Sequence, residues 1–141
     1  MTTLSKKALL TLSALTLAMS ASFGALAESV KSVAVTAIVE HPALDSVRDG
    51  VLDALKEAGY SEGKNLKWQY QSAQGNTGTA AQIARKFIGD QPDAIVAIAT
   101  PSAQAAVAGT KSIPIVFSAV TDPVEGQLTP SWEASGTNVT G

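Results

Sequence analysis

At 141 residues, 45% hydrophobic and 16% charged, the chain is long enough for one modest domain with a core and short for two. It contains no cysteine, which excludes disulfides, thiolate metal sites, a cysteine nucleophile and a lipid-modified N-terminal cysteine. Its formal charge of −2 becomes −4 once the first 27 residues, with Lys6 and Lys7 and no acid, are set aside, which argues against nucleic acid or an anionic membrane as partner.

Those first residues, 1–27, read as a secretory signal peptide. Lys6 and Lys7 precede an uncharged segment from Ala8 to Met19, and Ala25-Leu26-Ala27 supplies a small-x-small cleavage pattern ahead of Glu28. The apolar run is shorter than the roughly 20 residues a bilayer demands. The expectation is cleavage after Ala27 and export to a periplasm, or secretion outright.

From Ser32 to Val39 the residues are β-branched and nearly all apolar, as in a strand buried on both faces of a parallel sheet. The next segment places Leu44, Val47, Val51, Leu55 and Ala58 on one helical face and stops at Gly59. Leu66 to Gln71 alternates apolar and polar, which predicts a strand wet on one face, at the sheet edge, with Trp68 and Tyr70 in the core beside Leu66. A polar loop, Ser72 to Gly78, leads to a helix with Ala80, Ile83, Ala84, Phe87 and Ile88 on its buried stripe and Gly89 at its end.

A third strand, Ala94 to Ala99, runs into Thr100-Pro101-Ser102, read as a short helix with a Thr or Ser cap and proline at the first helical position. The fourth strand is Ile115 to Val120. Val124 to Gly141 has too little periodicity to predict an element, and Asn138-Val139-Thr140 matches a glycosylation sequon by chance. Strands alternating with helices imply an α/β fold: a parallel sheet, right-handed crossovers, helices on both faces.

In such a sheet ligands bind beyond the carboxyl ends of the strands. The candidates are therefore Glu40 and His41, Ser72 with Gln74 to Asn76, Thr100 to Gln104, and Thr121 with Asp122. The start of the third helix, with unpaired N–H groups and the positive end of a dipole, suits a carboxylate. An ammonium would want Asp122 or Glu40 within reach, and the two together describe an amino-acid zwitterion. There is no Gly-x-Ser-x-Gly elbow, phosphate loop or Gly-x-Gly-x-x-Gly. A flavodoxin-like receiver would need paired acids after the first strand and an aspartate after the third, where this chain has Glu40-His41 and Thr100. A secreted α/β enzyme using His41 and Asp122 is the alternative from another class.

Glu40-His41-Pro42-Ala43-Leu44-Asp45, Ala97 to Gln104 (Ala-Ile-Ala-Thr-Pro-Ser-Ala-Gln), Val120-Thr121-Asp122-Pro123 and Gly136-x-Asn138-Val139-Thr140-Gly141 together resemble the ABC-transporter substrate-binding family that includes the TrpX-like aromatic amino-acid receptors. The resemblance implies a type I periplasmic-binding fold, two α/β lobes on a hinge that close on a ligand and present it to an ABC permease in the inner membrane, with no enzymatic step, cofactor or metal. By that likeness Thr100, Ser102, Ala103 and Gln104 would hold the ligand's carboxylate end, and Thr121 and Asp122 would face the cleft. Only the N-terminal lobe is matched: residues 28–123 would form it and 124–141 would cross toward a second lobe. The expectation is thus a fragment, a truncated gene or a split pseudogene product.

Overall fold

The computed structural model describes residues 29–141, so the signal-peptide reading and its cleavage point lie outside the described residues. Seven residues from Lys31 to Ala37 form β1, whose apolar continuity fits its interior place: it pairs in parallel with β2 (Leu66–Ser72) on one side and β3 (Ala94–Ile98) on the other. Beyond β3 lie β4 (Ile115–Ser118) and β5 (Val139–Thr140), giving the order β2-β1-β3-β4-β5 with every pairing parallel. The helices are α1 (Pro42–Glu57), α2 (Thr77–Gly89) and α3 (Thr100–Gly109).

Alternation along β1 divides the core in two. Val33, Val35 and Ala37 face α1 and pack with Leu66, Val96 and Ile98, covered by Leu44, Val47, Val51, Leu52 and Leu55. Trp68 and Tyr70 join this layer from β2, which is an edge strand as its alternation predicted. Ala34 faces the opposite way, into a cluster with Phe87, Ile95, Ala97, Ala103, Ala106 and Ile115 under α2 and α3. Helices therefore cover both faces, α1 on one and α2 with α3 on the other. Phe87 is fully enclosed, and burying such a side chain contributes about 1.5–3 kcal/mol. The two helices on that face approach closely where Gly109 meets Ile88: a Cβ at Gly109 would run into the Ile88 side chain.

The amino edge of the sheet is closed by a reciprocal pair. Ser32 N–H donates to Asp93 Oδ2 at 2.8 Å, and Asp93 N–H donates to Ser32 O at 2.8 Å. This pair joins residues 61 apart in sequence.

Three strands stop short of the sequence expectation: β1 at Ala37, β3 at Ile98 and β4 at Ser118, where Val39, Ala99 and Val120 were expected. At β4 the reason is Ala119, whose φ of 55° turns the chain out of the sheet.

The segment after Val124, expected to form no element, supplies β5. Its two residues are held by their surroundings rather than by periodicity. Asn138 Nδ2 donates to Ile113 O at 2.8 Å and to Thr110 O at 3.3 Å, while Asn138 O accepts from Ile115 N–H. Ser135 Oγ donates to Val139 O at 2.6 Å, and Val139 is buried. The sequon amide is thereby committed to the fold.

Candidate ligand-binding site

Because all strands run the same way, the loops after β1, β2, β3 and β4 gather at one edge. The connections after β1 and β3 lead to opposite faces, to α1 and α3, and the crevice where they diverge is the topological switch point. Glu40, His41 and the Thr100–Gln104 turn stand on either side of it, with Thr121 and Asp122 one strand further.

The three helix starts at this edge are not alike. His41 caps α1, its Nδ1 accepting from Ala43 N–H at 3.2 Å. Asn76 caps α2, its Oδ1 accepting from Thr79 N–H at 2.9 Å. The cap of α3 is neither Thr100 nor Ser102, as the sequence suggested, but Ala99, which has no side chain to offer. Ala99 O accepts from Ala103 N–H, and Pro101 has no N–H. The N–H groups of Thr100 and Ser102 thus find no acceptor among the described residues.

Residue by residue, the edge is more divided than the sequence implied. Ser102 and Ala103 are enclosed, at 1% and 0% exposure, and Ser102 Oγ has no hydrogen-bond partner among the described residues. Thr100 is half-buried, and its methyl group lies where Gly126 comes close: a Cβ there would stand 3.3 Å from Thr100 Cγ2 and 3.0 Å from Asp122 O. Gln104 is exposed and its Nε2 donates to Gly126 O at 3.1 Å, so its amide ties the turn after β4 to α3.

Asp122 organises that same turn. Its Oδ1 accepts from Val124 N–H at 2.9 Å and from Glu125 N–H at 3.0 Å, while Oδ2 has no bond among the described residues. Thr121, Glu40 and His41 are exposed. His41 Nδ1 serves its own helix, and no hydrogen bond joins His41 to Asp122. Ser72 Oγ accepts from Gln74 N–H at 3.2 Å.

Among the described residues titration is shifted at two groups, neither a candidate. The hydrogen bond to Asp49 raises Arg48, which also stacks 4.8 Å from the Tyr70 ring centroid. The hydrogen bond from Lys86, at 3.0 Å, lowers Asp90. Among the described residues no three His, Asp or Glu side chains gather as a metal site would require.

Two features escaped the sequence reading. A groove of about 350 Å³ opens beside the ends of β4 and β5, between Phe117, Val120, Pro123 and Trp132, and Trp132 is 70% exposed. It borders the Thr121–Asp122 turn through Val120 and Pro123. The other is the backbone of Ala99, with φ 74° and ψ 154°, a conformation that alanine does not announce in a sequence.

Known proteins share this arrangement. The fold is one lobe of a type I periplasmic-binding protein. The chain is 49% identical over 111 residues to a tyrosine-binding protein of Clostridioides difficile, covering 79% of this chain and 32% of that protein. The crystal structure of a conserved domain protein from Vibrio cholerae superposes with a TM-score of 0.79 at 59% identity, over 80% of this chain and 38% of that one. An ABC domain from Streptococcus pneumonia in complex with L-Trp gives a TM-score of 0.76 at 33% identity, over 80% and 38%. The chain therefore spans about a third of the length of these relatives. A family model described as ABC transporter substrate binding protein matches residues 32–141, and the chain belongs to that family.

Proposed function

We propose that this chain is the N-terminal ligand-binding lobe of an exported ABC-importer receptor, and that the carboxyl edge of its sheet binds an amino acid, preferably an aromatic one. The observation that carries the reading is the start of α3, the one of the three helices at this edge without a side-chain cap. A ligand carboxylate would supply what Ala99 lacks, at the positive end of the helix dipole. Asp122 Oδ2 and Glu40 are the acids within the same edge for an ammonium. The aromatic preference is supported by a relative named for tyrosine and another solved with L-Trp.

In this reading the enclosed Ser102 and Ala103 shape the helix start, while Thr100, Thr121, Asp122 and Glu40 meet the ligand. Gln104 and His41 hold loops in place. A second lobe closes the cleft, a permease of the inner membrane receives the solute, and residues 1–27 direct export to the periplasm.

Titration calorimetry of the chain with L-tryptophan, L-phenylalanine and L-tyrosine tests the reading. One lobe supplies about half of the contacts, while capture of a ligand costs an estimated 4–15 kcal/mol whichever lobes are present. Binding is therefore expected at roughly millimolar strength, about −4 kcal/mol. No heat with any of the three would overturn the amino-acid assignment. Micromolar binding by the monomeric chain would show instead that the site is complete without a second lobe.

A further inference from the structure

The outer edges of the sheet, at β5 and at β2, are finished differently. At β5 the Ile115 N–H donates to Asn138 O, so the N–H and C=O of Val139 point outward, and both are claimed from within the chain. Thr137 Oγ1 accepts the Val139 N–H at 3.3 Å, and Ser135 Oγ donates to the Val139 carbonyl at 2.6 Å. That edge is sealed. At β2 the ladder to β1 begins with Lys31 N–H donating to Asn65 O and ends with Ala73 N–H donating to Ala37 O, so it engages the odd-numbered residues of β2. The N–H and C=O of Trp68 and Tyr70 therefore point away from β1, and among the described residues no strand or side chain bonds them. Leu66 N–H is taken by Ser61 O at 3.1 Å, and Ser72 Oγ by Gln74 N–H, so the open stretch is short and centred on Gln69.

An open strand edge is a template for another strand. We propose that β2 pairs antiparallel with β2 of a second copy of this chain, about a two-fold axis at Gln69, to make one continuous sheet. In that register Trp68 of each copy faces Tyr70 of the other, exchanging main-chain hydrogen bonds in both directions. The side chains suit the pairing. Lys67, the one charge on β2, falls opposite the uncharged Gln71, so no like charges meet. Trp68 comes beside Tyr70 on one face, an aromatic pair of the kind that stabilises cross-strand contacts. The two Gln69 side chains meet at the axis with Cβ atoms about 4.5–5.5 Å apart. Gln69 Nε2, enclosed and without a hydrogen-bond partner among the described residues, would there find the facing amide oxygen as an acceptor.

Sedimentation of the chain from micromolar to millimolar concentration, with charge variants at the exposed Gln71, tests the pairing. A dimer is the expected result. Gln71→Glu should tighten it about threefold or more, since a carboxylate then faces Lys67 on either side of the axis, and Gln71→Lys should weaken it by a similar factor through opposed lysines. The chain has no cysteine, so a single introduced one reports contact cleanly. Gln69→Cys should form an intermolecular disulfide on mild oxidation, because Cα atoms of a non-hydrogen-bonded antiparallel pair lie about 4.5 Å apart, within disulfide range. Glu133→Cys, in the groove beside the sealed edge, should not. A chain that stays monomeric throughout would overturn the proposal and leave the edge to an extended peptide. A dimer indifferent to both charge changes, or one cross-linked as readily through Glu133→Cys, would overturn it by placing the interface elsewhere.

Discussion

Replacing Asn138 by alanine should loosen the far edge of the sheet without disturbing its centre. The side chain donates to Ile113 O at 2.8 Å and Thr110 O at 3.3 Å, and its own carbonyl receives the Ile115 N–H. Alanine removes both side-chain bonds and leaves two backbone carbonyls to find water. The net worth of such a bond is about 1 kcal/mol, and a buried acceptor left empty costs about 1–3 kcal/mol. Asn138 is half-buried, so partial access to water discounts the second figure. A loss of roughly 1.5–3 kcal/mol follows, a large part of the 5–15 kcal/mol that holds a typical domain. Urea denaturation gives the total, and hydrogen exchange locates it: the Ile115 amide should exchange faster, whereas Val35 and Val96 at the centre should not. A loss below about 0.5 kcal/mol with Ile115 exchange unchanged would refute the assignment of Asn138 as the tether of β5.

Phe87→Ala should cost about 3–5 kcal/mol, because a fully enclosed ring between α2 and the sheet is lost, and a urea midpoint near the wild-type value would contradict that packing. Asp90, with a folded pKa below 3.8 through its bond from Lys86, stabilises the protein above that unfolded value, and the benefit disappears as pH falls through the lowered folded value. Asp90→Asn should accordingly flatten this small acid-side dependence, most visibly at low salt; the pair lies at the surface, so an effect that survives molar salt would point elsewhere. Mass spectrometry of protein recovered from the periplasm should find Glu28 as the first residue, and an intact Met1 there would end the export proposal.

The sheet and helices were legible because their signals are strong and local. β1 and β3 are apolar runs, the buried stripe of α2 recurs at spacings of three and four, and the alternation in Leu66 to Gln71 marked an edge strand correctly. β5 was not legible, since two residues carry no period and their place is set by the Asn138 amide reaching a loop 25 residues away. The site was legible as an edge but not as a set of side chains. Which of Thr100 to Gln104 reaches the surface depends on how the chain turns from β3 into α3, and that turn is set by the φ of Ala99. Asp122 was rightly placed in the loop after β4, but the backbone N–H groups that claim its Oδ1 belong to a turn which the residues around it do not spell out.

The clamp between Ser32 and Asp93 bears on how the molecule assembles in time. β1 is an interior strand, yet one of its two neighbours is made only after residue 93, so the strand cannot be satisfied on both sides until a 61-residue loop has closed. Closure of that loop carries its entropic cost before the β1–β3 pairing repays it, and the remaining pairings are also parallel and non-local. Refolding should therefore be slow for a chain of this size. On a ribosome, β1, α1, β2 and α2 would all emerge before the partner strand that completes the core, leaving Val33, Val35 and Ala34 exposed to other chains in the interval.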